Sequence, residues 1–206
     1  MTLEQAFSCL PILTTSRLRL RQIQESDAEA VHAFKSVAEV TRRYGEDPHT
    51  TVDETRTWIA ANLDGYARRE AMTWAIVLLD QDVVIGECCL WNFGPGQRCA
   101  EIGYELHQDH WHQGLMTEAG QELLHFGFCE LELHRIEADT LSSNPRSIDL
   151  LLRLGFTPEA HLRERHFHRG IFHDQELFGL LRSEWQSREK DQGARGASND
   201  TLAEKR

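Results

Sequence analysis

Hydrophobic and polar positions alternate in several segments of the chain, which is the two-residue period of a β-strand. Residues 17–22, RLRLRQ, alternate strictly and predict a first strand. Residues 72–79 and 83–91 predict two more strands joined by the short turn DQD, and residues 99–106, CAEIGYEL, predict a fourth. The remaining predicted strands are the run RIEADTL and two closing segments, about 156–167 and 171–181, on either side of the turn HRG.

Helices are predicted between these strands, where apolar residues recur every three or four positions behind a capping residue. Ser26 and Glu29 form one capping-box pattern ahead of the first helix. Thr51 and Glu54 form a second one, which opens a helix that continues to about residue 69. Both patterns place a polar side chain where it can satisfy an unpaired backbone N–H.

Two further helices follow the first four strands. One is predicted from about Met116 to Glu130. The other begins at Asn144, which can cap it, with Pro145 at its first position, and it ends at Gly155. The order of elements is therefore β-α-α-β-β-β-α-β-α-β-β. It predicts a single α/β domain with a central mixed, mostly antiparallel sheet flanked by helices.

The domain is expected over residues 1–186, and the polar residues 187–206 are expected to form a flexible tail. Of the 206 residues, 40% are hydrophobic and 27% charged, which is typical of a soluble globular protein. The formal net charge of −11 disfavours nucleic acid as the principal ligand, because phosphate binding needs a basic surface. Such a charge attracts cationic molecules instead, including amines and basic peptides.

Neither membrane insertion nor secretion is indicated. No apolar run approaches the roughly 20 residues that cross a bilayer. The first residues, MTLEQAFSCLPILTTSRL, carry no basic region ahead of an apolar core. The five cysteines form no C-x-x-C pair, so a disulfide framework is not expected. We therefore expect a cytoplasmic protein with no membrane partner.

Residues 107–120, HQDHWHQGLMTEAG, allow two interpretations. Three histidines suggest a metal, but His107, His110 and His112 cannot share one side of a regular strand or helix, and no carboxylate or cysteine has clear ligand spacing. A loop that ends at a helix N-terminus presents unpaired N–H groups and a positive dipole end. Gly114 also lets the backbone approach a ligand closely. A phosphate site without a metal is the better prediction.

The segments EIGYEL and WHQGLMTEA, followed by RIEADTLSSNPRSIDLLLRLGF, resemble the GNAT superfamily of N-acetyltransferases, in its ribosomal-protein N-terminal acetyltransferase branch. The resemblance covers about residues 12–185. The superfamily's pyrophosphate loop follows the pattern Gln/Arg-x-x-Gly-x-Gly/Ala, and its positions correspond to Trp111, Gly114 and Met116. Only the first glycine is kept, although a tryptophan and a bulkier last residue are familiar in this branch.

The resemblance implies the acyl-CoA N-acyltransferase fold, with acetyl-CoA as co-substrate, no metal, and direct attack by a primary amine in a ternary complex. The strand over residues 99–106 would splay from the next strand, and the backbone of Tyr104, Glu105 and Leu106 would pair with the pantetheine arm. Asn144 resembles the family asparagine that contacts CoA, a role that competes with capping. The residues implied to line the pyrophosphate are His112, Gln113, Gly114, Leu115, Met116 and Thr117.

The resemblance also suggests which residues move protons. Glu101 occupies the place of a strand glutamate that takes the proton of the amine in many family members, and Glu105, on the same strand face, is the alternate base. The tyrosine that many members carry four residues before the glycine of LGF is replaced by Leu151. Ser147 matches a serine common in the branch and is the candidate for protonating the sulfur or contacting the cofactor.

The acceptor implied by the branch is a protein N-terminal α-amine, such as that of a ribosomal protein. A small-molecule amine, namely an amino acid, a polyamine or an aminoglycoside, is the alternative within the same chemistry. Leu151 also motivates a non-catalytic acyl-CoA-binding module, and the histidines motivate a metal-dependent hydrolase. The sequence leaves the oligomeric state open.

Overall fold

The structure, a computed structural model, describes residues 1–42, 44–94, 96 and 98–190. Its centre is one eight-stranded sheet with the strand order β1-β2-β3-β4-β5-β6-β8-β7. The predicted α/β architecture with a mixed sheet is therefore confirmed. The strands are β1 (Leu13–Thr14), β2 (Leu18–Gln22), β3 (Ala71–Leu78), β4 (Val84–Trp91), β5 (Cys99–Leu106), β6 (Arg135–Leu141), β7 (Thr157–His168) and β8 (Ile171–Leu181).

Seven helices surround this sheet within the described residues, and each predicted helix is among them. None of the helices in the described ranges is both long and apolar enough to cross a membrane. The last helix extends to residue 190, and the rest of the predicted tail, 191–206, lies outside the described residues. The helices are α1 (Leu3–Ser8), α2 (Ala28–Lys35), α3 (Ala38–Thr41), α4 (Val52–Ala67), α5 (Leu115–His125), α6 (Pro145–Leu154) and α7 (residues 182–190).

The start of α2 differs from its predicted capping box. Asp27, not Ser26, accepts the backbone hydrogen bond, from the N–H of Gln24 at 2.8 Å. The Asp27 carboxylate is fixed there because two nitrogens of Arg21 donate to it at 2.7 and 2.8 Å. The capping role predicted for Ser26 and Glu29 is therefore wrong, because the ion pair between β2 and the turn decides the geometry.

The other helix ends follow their predictions, except that the Glu54 carboxylate accepts from Thr50 instead of completing the predicted capping box with Thr51. Thr51 caps α4 by accepting the N–H of Glu54 at 3.2 Å. Asn144 caps α6, with Pro145 in the first turn, and Gly155 ends it with a φ of 102°. After α5 the chain continues in a π-helical turn over Phe126–Glu130, so the predicted helix reaches its expected end.

The strands β5 and β6 separate part-way along the sheet. They are parallel neighbours for only three residue pairs, from Cys99↔Arg135 to Glu101↔Glu137. Beyond this point β5 stays paired with β4 as far as Leu106, whereas β6 follows β8. The divergence opens a gap in the middle of the sheet.

The two faces of the sheet carry separate hydrophobic clusters. The larger cluster includes Trp74 and Phe126 and reaches α1, α5 and α6, and the smaller one includes Phe34 of α2 and Ile59 of α4. Because side chains alternate along a strand, neighbouring residues of β5 point to opposite faces of the sheet. The gap beside β5 is thus bordered by different side chains on its two faces.

Candidate active site

A cavity of about 330 Å³ lies at the end of β5, beyond the point where β5 and β6 separate. Tyr104 and Glu105, whose side chains point to opposite faces of the sheet, both line it. The cavity therefore passes from one face to the other at the end of β5. On one face its wall is formed by the loop and first turn of α5 and by α6, and on the other it includes Val40 and Tyr44. We call these two regions the cofactor end and the acceptor end, after the roles that the resemblance implies for them.

The cofactor end is built around the start of α5. Gly114 has a φ of 75°, a left-handed conformation that favours glycine, and no side chain caps the helix there. The first intrahelical hydrogen bond runs from the N–H of Glu118 to the carbonyl of Gly114, at 3.0 Å. The N–H groups of Leu115, Met116 and Thr117 precede that bond, and these residues line the cavity. Such a helix start favours an anion, through N–H donors and the helix dipole.

A hydrogen-bonded clamp holds this loop against the start of β2. Arg17 donates to the carbonyl of Gln113 at 3.0 Å and to the Glu118 carboxylate at 2.6 Å. Glu118 also accepts from Thr15 at 2.5 Å and Ser16 at 3.0 Å. Burial alone would raise the pKa of Glu118, but these hydrogen bonds lower it to about 2. The carboxylate is therefore ionised at neutral pH and fixes the first turn of α5.

Most of the residues predicted for the cofactor lie on the cavity wall. The exception is Gln113, whose amide folds back onto the carbonyl of Asp109, at 3.0 Å. Trp111, at the first motif position, donates its indole N–H to the carbonyl of Leu106 at 2.8 Å, so it ties the loop to β5. The predicted residues on the wall are Tyr104, Leu106, His112, Gly114, Leu115, Met116, Thr117 and Asn144.

Two hydroxyl groups meet on the α6 side of the cavity. The phenol oxygen of Tyr104 lies 2.8 Å from Oγ of Ser147, and both residues line the wall. Asn144 accepts the N–H of Ser147 at 3.3 Å, so it caps α6 and also faces the cavity. Leu151 is fully buried in the larger hydrophobic cluster. A tyrosine hydroxyl is thus present at the cavity. It comes from Tyr104 of β5 and not from position 151 of α6, where many family members carry a tyrosine.

His107 and His110 stabilise the turn that follows β5. His107 accepts the N–H of Asp109 at 3.2 Å, and the rings of His107 and His110 pack edge to face. Burial lowers the pKa of His110, which lines the cavity. Among the residues that the structure describes, no group of three or more histidine, cysteine or acidic side chains is arranged to hold a metal ion.

The acceptor end contains a buried ion pair. Lys35 of α2 donates to Glu105 with 2.6 Å between Nζ and Oε2, and the two residues are 3% and 5% exposed. Nζ of Lys35 also lies 4.0 Å from the ring centre of Trp58 and 5.7 Å from that of Tyr44. Lys35 is not among the residues predicted for the site, although its position four residues after the buried Val31 places it on the inward face of α2.

A second carboxylate lies beside this pair. Glu87 of β4 is the direct cross-strand partner of Glu105 and is 8% exposed. Burial raises the pKa of Glu87 to about 7, against the opposing effect of Lys35. Burial also raises the pKa of Glu105, and Lys35 opposes this. Burial alone would lower the pKa of Lys35, but Glu105 and Glu87 together raise it.

Two buried polar groups at the acceptor end face each other. The Tyr44 hydroxyl interacts with the Glu105 carboxylate, although neither that hydroxyl nor Oε1 of Glu105 makes a hydrogen bond of ordinary geometry within the described part of the chain. Both residues line the cavity. Burial and the charge of Glu105 raise the pKa of Tyr44, so its hydroxyl stays protonated. Buried polar atoms with weak partners are costly, so a polar ligand that displaces the Tyr44 hydroxyl would be stabilised at this end.

The structure places the predicted base Glu101 away from the cavity wall. Its carboxylate accepts from the amide of Asn92 at 2.5 Å, near the end of the three paired residues of β5 and β6. Burial raises the pKa of Glu101. Of the two candidate bases it is Glu105 that reaches the cavity, and the role of Glu101 stays a prediction.

Comparison with known proteins agrees with this geometry. The chain matches the acetyltransferase (GNAT) domain family over residues 17–157. It is 34% identical to the uncharacterized N-acetyltransferase YoaA of Bacillus subtilis over 172 residues, which cover 84% of this chain and 97% of YoaA. It is 25% identical to the spermidine N(1)-acetyltransferase of Vibrio cholerae over 173 residues, which cover 84% of this chain and 98% of that enzyme.

Among solved structures, the chain is similar to the ribosomal L7/L12 α-N-protein acetyltransferase RimL in complex with coenzyme A. The TM-score is 0.75 at 24% identity, and the match covers 83% of this chain and 98% of RimL. Every residue that lines the cavity, from Val40 to Arg153, falls inside the family match. The resemblance noted in the sequence is confirmed: this chain belongs to the GNAT family of acetyltransferases and is an N-acetyltransferase.

Proposed function

We propose that this N-acetyltransferase uses acetyl-CoA to acetylate a primary amine by direct attack in a ternary complex, with a protein N-terminal α-amine as its acceptor. The observation that carries the proposal is one cavity that joins two different ends. One end is the uncapped start of α5 at Gly114, and the other is the buried carboxylate of Glu105. An anionic cofactor and a cationic amine fit these ends respectively.

The chain's own groups at the cofactor end suit coenzyme A. The N–H groups of residues 115–117 would hold the pyrophosphate, and the end of β5, at Tyr104–Leu106, would pair with the pantetheine arm. Asn144 faces the same cavity and would contact the cofactor while it caps α6. Acetyl-CoA supplies the acetyl thioester when bound. The GNAT family uses acetyl-CoA, and RimL binds coenzyme A in its solved structure.

The acceptor amine arrives as an ammonium ion and must lose a proton before it can attack. Oε1 of Glu105 is the proposed proton acceptor, because Lys35 holds only the other oxygen, Oε1 faces the Tyr44 hydroxyl without a hydrogen bond of ordinary geometry, and the residue lies on the cavity wall. Glu101 remains the competing base. Ser147, hydrogen-bonded to Tyr104, is the proposed donor of a proton on the opposite side of the cavity.

Several observations bear on the acceptor. RimL, which shares the fold, acts on a protein α-amine, whereas the spermidine relative is named for a small polyamine. The net charge of −11 favours a cationic acceptor of either kind. A protein α-amine, which is cationic when protonated, satisfies this condition together with the fold similarity, and a polyamine is the second candidate. The hydroxyl groups of Tyr104 and Ser147 argue against a non-catalytic module. They can replace the tyrosine hydroxyl that is missing because Leu151 stands at that position.

The test is a thiol-release assay with acetyl-CoA and a panel of amines, with calorimetric binding of acetyl-CoA alongside. The panel contains basic peptides with free α-amino ends, the same peptides with blocked ends and free lysines, amino acids, polyamines and aminoglycosides. We expect turnover on the free-ended peptides and none on the blocked ones. Turnover on polyamines alone would mean that the acceptor is a polyamine and not a protein α-amine. Binding without any turnover would support the non-catalytic module, and no binding would refute the use of acetyl-CoA.

A further inference from the structure

We propose that Lys35 is a positioning residue that keeps Glu105 ionised for the acceptor amine, and that Glu87 is the opposing charge against which Lys35 acts. The three side chains together form a buried charged group, which we call the Lys35 triad. This proposal rests on the proposed function, because it assigns Glu105 the proton of the amine. It goes further by assigning roles to two buried residues that do not themselves contact the substrate.

The geometry fixes Lys35 more firmly than an ordinary ion pair would. Nζ is 2.6 Å from Oε2 of Glu105 and 4.0 Å from the ring centre of Trp58. An ammonium over an indole ring gains further attraction, which is larger in a site removed from water. Lys35 thus has a carboxylate and an aromatic face as partners. It holds Oε2 of Glu105, so that Oε1 faces only the Tyr44 hydroxyl, which an acceptor amine would displace.

The need for Lys35 arises from the register of the sheet. Glu87 and Glu105 are directly opposite each other on β4 and β5, on the same face, and both are buried. Like charges at such positions repel, and burial strengthens the repulsion. Two carboxylates and one ammonium leave one net negative charge. Without Lys35, we expect one of the two carboxylates to take up a proton, because two buried carboxylates cannot both stay ionised.

Other groups surround the triad but do not replace Lys35. Glu46 adds negative charge to the same region, and the Tyr44 hydroxyl stays neutral. His49 precedes α4, and its pKa is lowered by burial and by the charge of Lys35, so it is neutral near pH 7. Lys35 is therefore the cation that the described surroundings offer to both carboxylates.

The consequence is a defined proton transfer. The acceptor ammonium gives one proton to Oε1 of Glu105, which yields a neutral amine and a neutral carboxylic acid. Glu105 can accept this proton only while it is ionised, and Lys35 maintains that state. A change at Lys35 should therefore alter the pH at which the enzyme works more than its affinity for acetyl-CoA.

The experiment compares the wild type with Lys35→Met, which keeps an unbranched side chain only one atom shorter and removes its charge. We expect the acidic limb of the pH profile of kcat/KM to move to higher pH by about one to three units, as for a carboxylate that loses a close cation. Below that limb, activity should fall roughly tenfold for each unit of the shift. Glu87→Gln should move the limb to lower pH, and the double variant should return it towards the wild-type position.

The matched control is Lys190→Met, the same change at an exposed lysine of α7, which should leave the limb in place. A second readout, ¹³C NMR titration of the glutamate side chains, does not depend on turnover and uses Glu105→Gln for assignment. An unchanged titration of Glu105 in Lys35→Met would overturn the proposal even if the enzyme is active. A shifted titration with no turnover in the wild type would refute the proposed function alone. If Lys35→Met does not fold, the acidic limb of Glu87→Gln still tests the proposal. A shift of that limb to lower pH would support it, and an unchanged limb would contradict it.

Discussion

The two ends of the cavity are built in different ways. The cofactor end consists of the backbone N–H groups of a contiguous stretch, residues 115–117, and depends on the conformation of Gly114. The acceptor end uses side chains from separate elements, and the ion pair at its centre joins residues 70 positions apart. A backbone site tolerates most side-chain changes provided that its glycine stays, whereas a site of buried charges is sensitive to each of its members.

The largest expected effect comes from removing the charge at the acceptor end. Glu105→Gln should lower kcat/KM about 10²-fold or more, because the amine loses its proton acceptor. Since Glu105 must be ionised, wild-type activity should fall as the pH drops through its pKa, which burial raises. The variant should lose this acidic limb. Steady-state rates of thiol release between pH 5 and 9 measure both effects.

Glu101→Gln provides the matched control, since it makes the same change four residues earlier on the same strand face. We expect a smaller loss of kcat/KM and a pH profile that keeps its acidic limb. The reason is that the Glu101 carboxylate is hydrogen-bonded to Asn92 and lies off the cavity wall. If Glu101→Gln shows the larger loss and abolishes the limb, the acceptor end is misassigned and the base predicted first from sequence is the correct one.

The next effect concerns the backbone of the cofactor end. Gly114→Val forces a β-branched residue to a φ of 75°, which costs about 1–3 kcal/mol or displaces the loop. We expect the Kd of acetyl-CoA to rise about tenfold or more, because the N–H groups of the first turn no longer converge. Calorimetric titration measures this change.

Gly170→Val is the control for the strain itself. Gly170 has a φ of 79° in the turn between β7 and β8, and an added Cβ there meets nothing within 4 Å. Both substitutions should lower the Tm, but only the change at Gly114 should weaken acetyl-CoA binding. Equal affinities for the two variants would mean that the start of α5 does not hold the cofactor.

The comparison also explains what the sequence could predict. The strands of the sheet and the long helices carry a clear period, and the predicted order holds for them. By contrast, α1, β1 and α3 have only two to six residues, too few for a periodic signal, and none was predicted. At the cofactor end, a glycine and a helix start are adjacent in the sequence, so the phosphate site could be predicted from local rules.

The acceptor end could not be predicted in that way. A lysine on a helix is usually exposed, and no local pattern indicates that Lys35 meets a glutamate on β5. Alternation places Glu101 and Glu105 on one face, but only the tertiary structure shows where β5 leaves β6, and so which carboxylate faces the cavity. The pairing of Tyr104 with Ser147 depends on the same separation. These features arise from long-range contacts.

The smallest expected effect tests whether the cofactor end also relies on a charged side chain. Glu118→Gln preserves the shape of the side chain and removes the charge that binds Arg17. Because the pKa of Glu118 is lowered to about 2, its stabilisation is present above the ordinary pKa near 4.5 and is lost as the pH falls towards 2. After allowance for solvent screening, we expect a loss of about 1 kcal/mol at pH 7, or about 2–4 °C in Tm.

Thermal unfolding at pH 7 and pH 3 measures this effect, and the difference between wild type and variant should shrink at the lower pH. Glu122→Gln, one turn further along α5, is the control, since no ion pair with a described residue is observed for it, and it should change the Tm little. We also expect Glu118→Gln to weaken acetyl-CoA binding much less than Gly114→Val does, because the N–H groups and the glycine remain. A tenfold loss of affinity in Glu118→Gln would show that both ends depend on fixed charges, and the contrast between a backbone site and a side-chain site would fail.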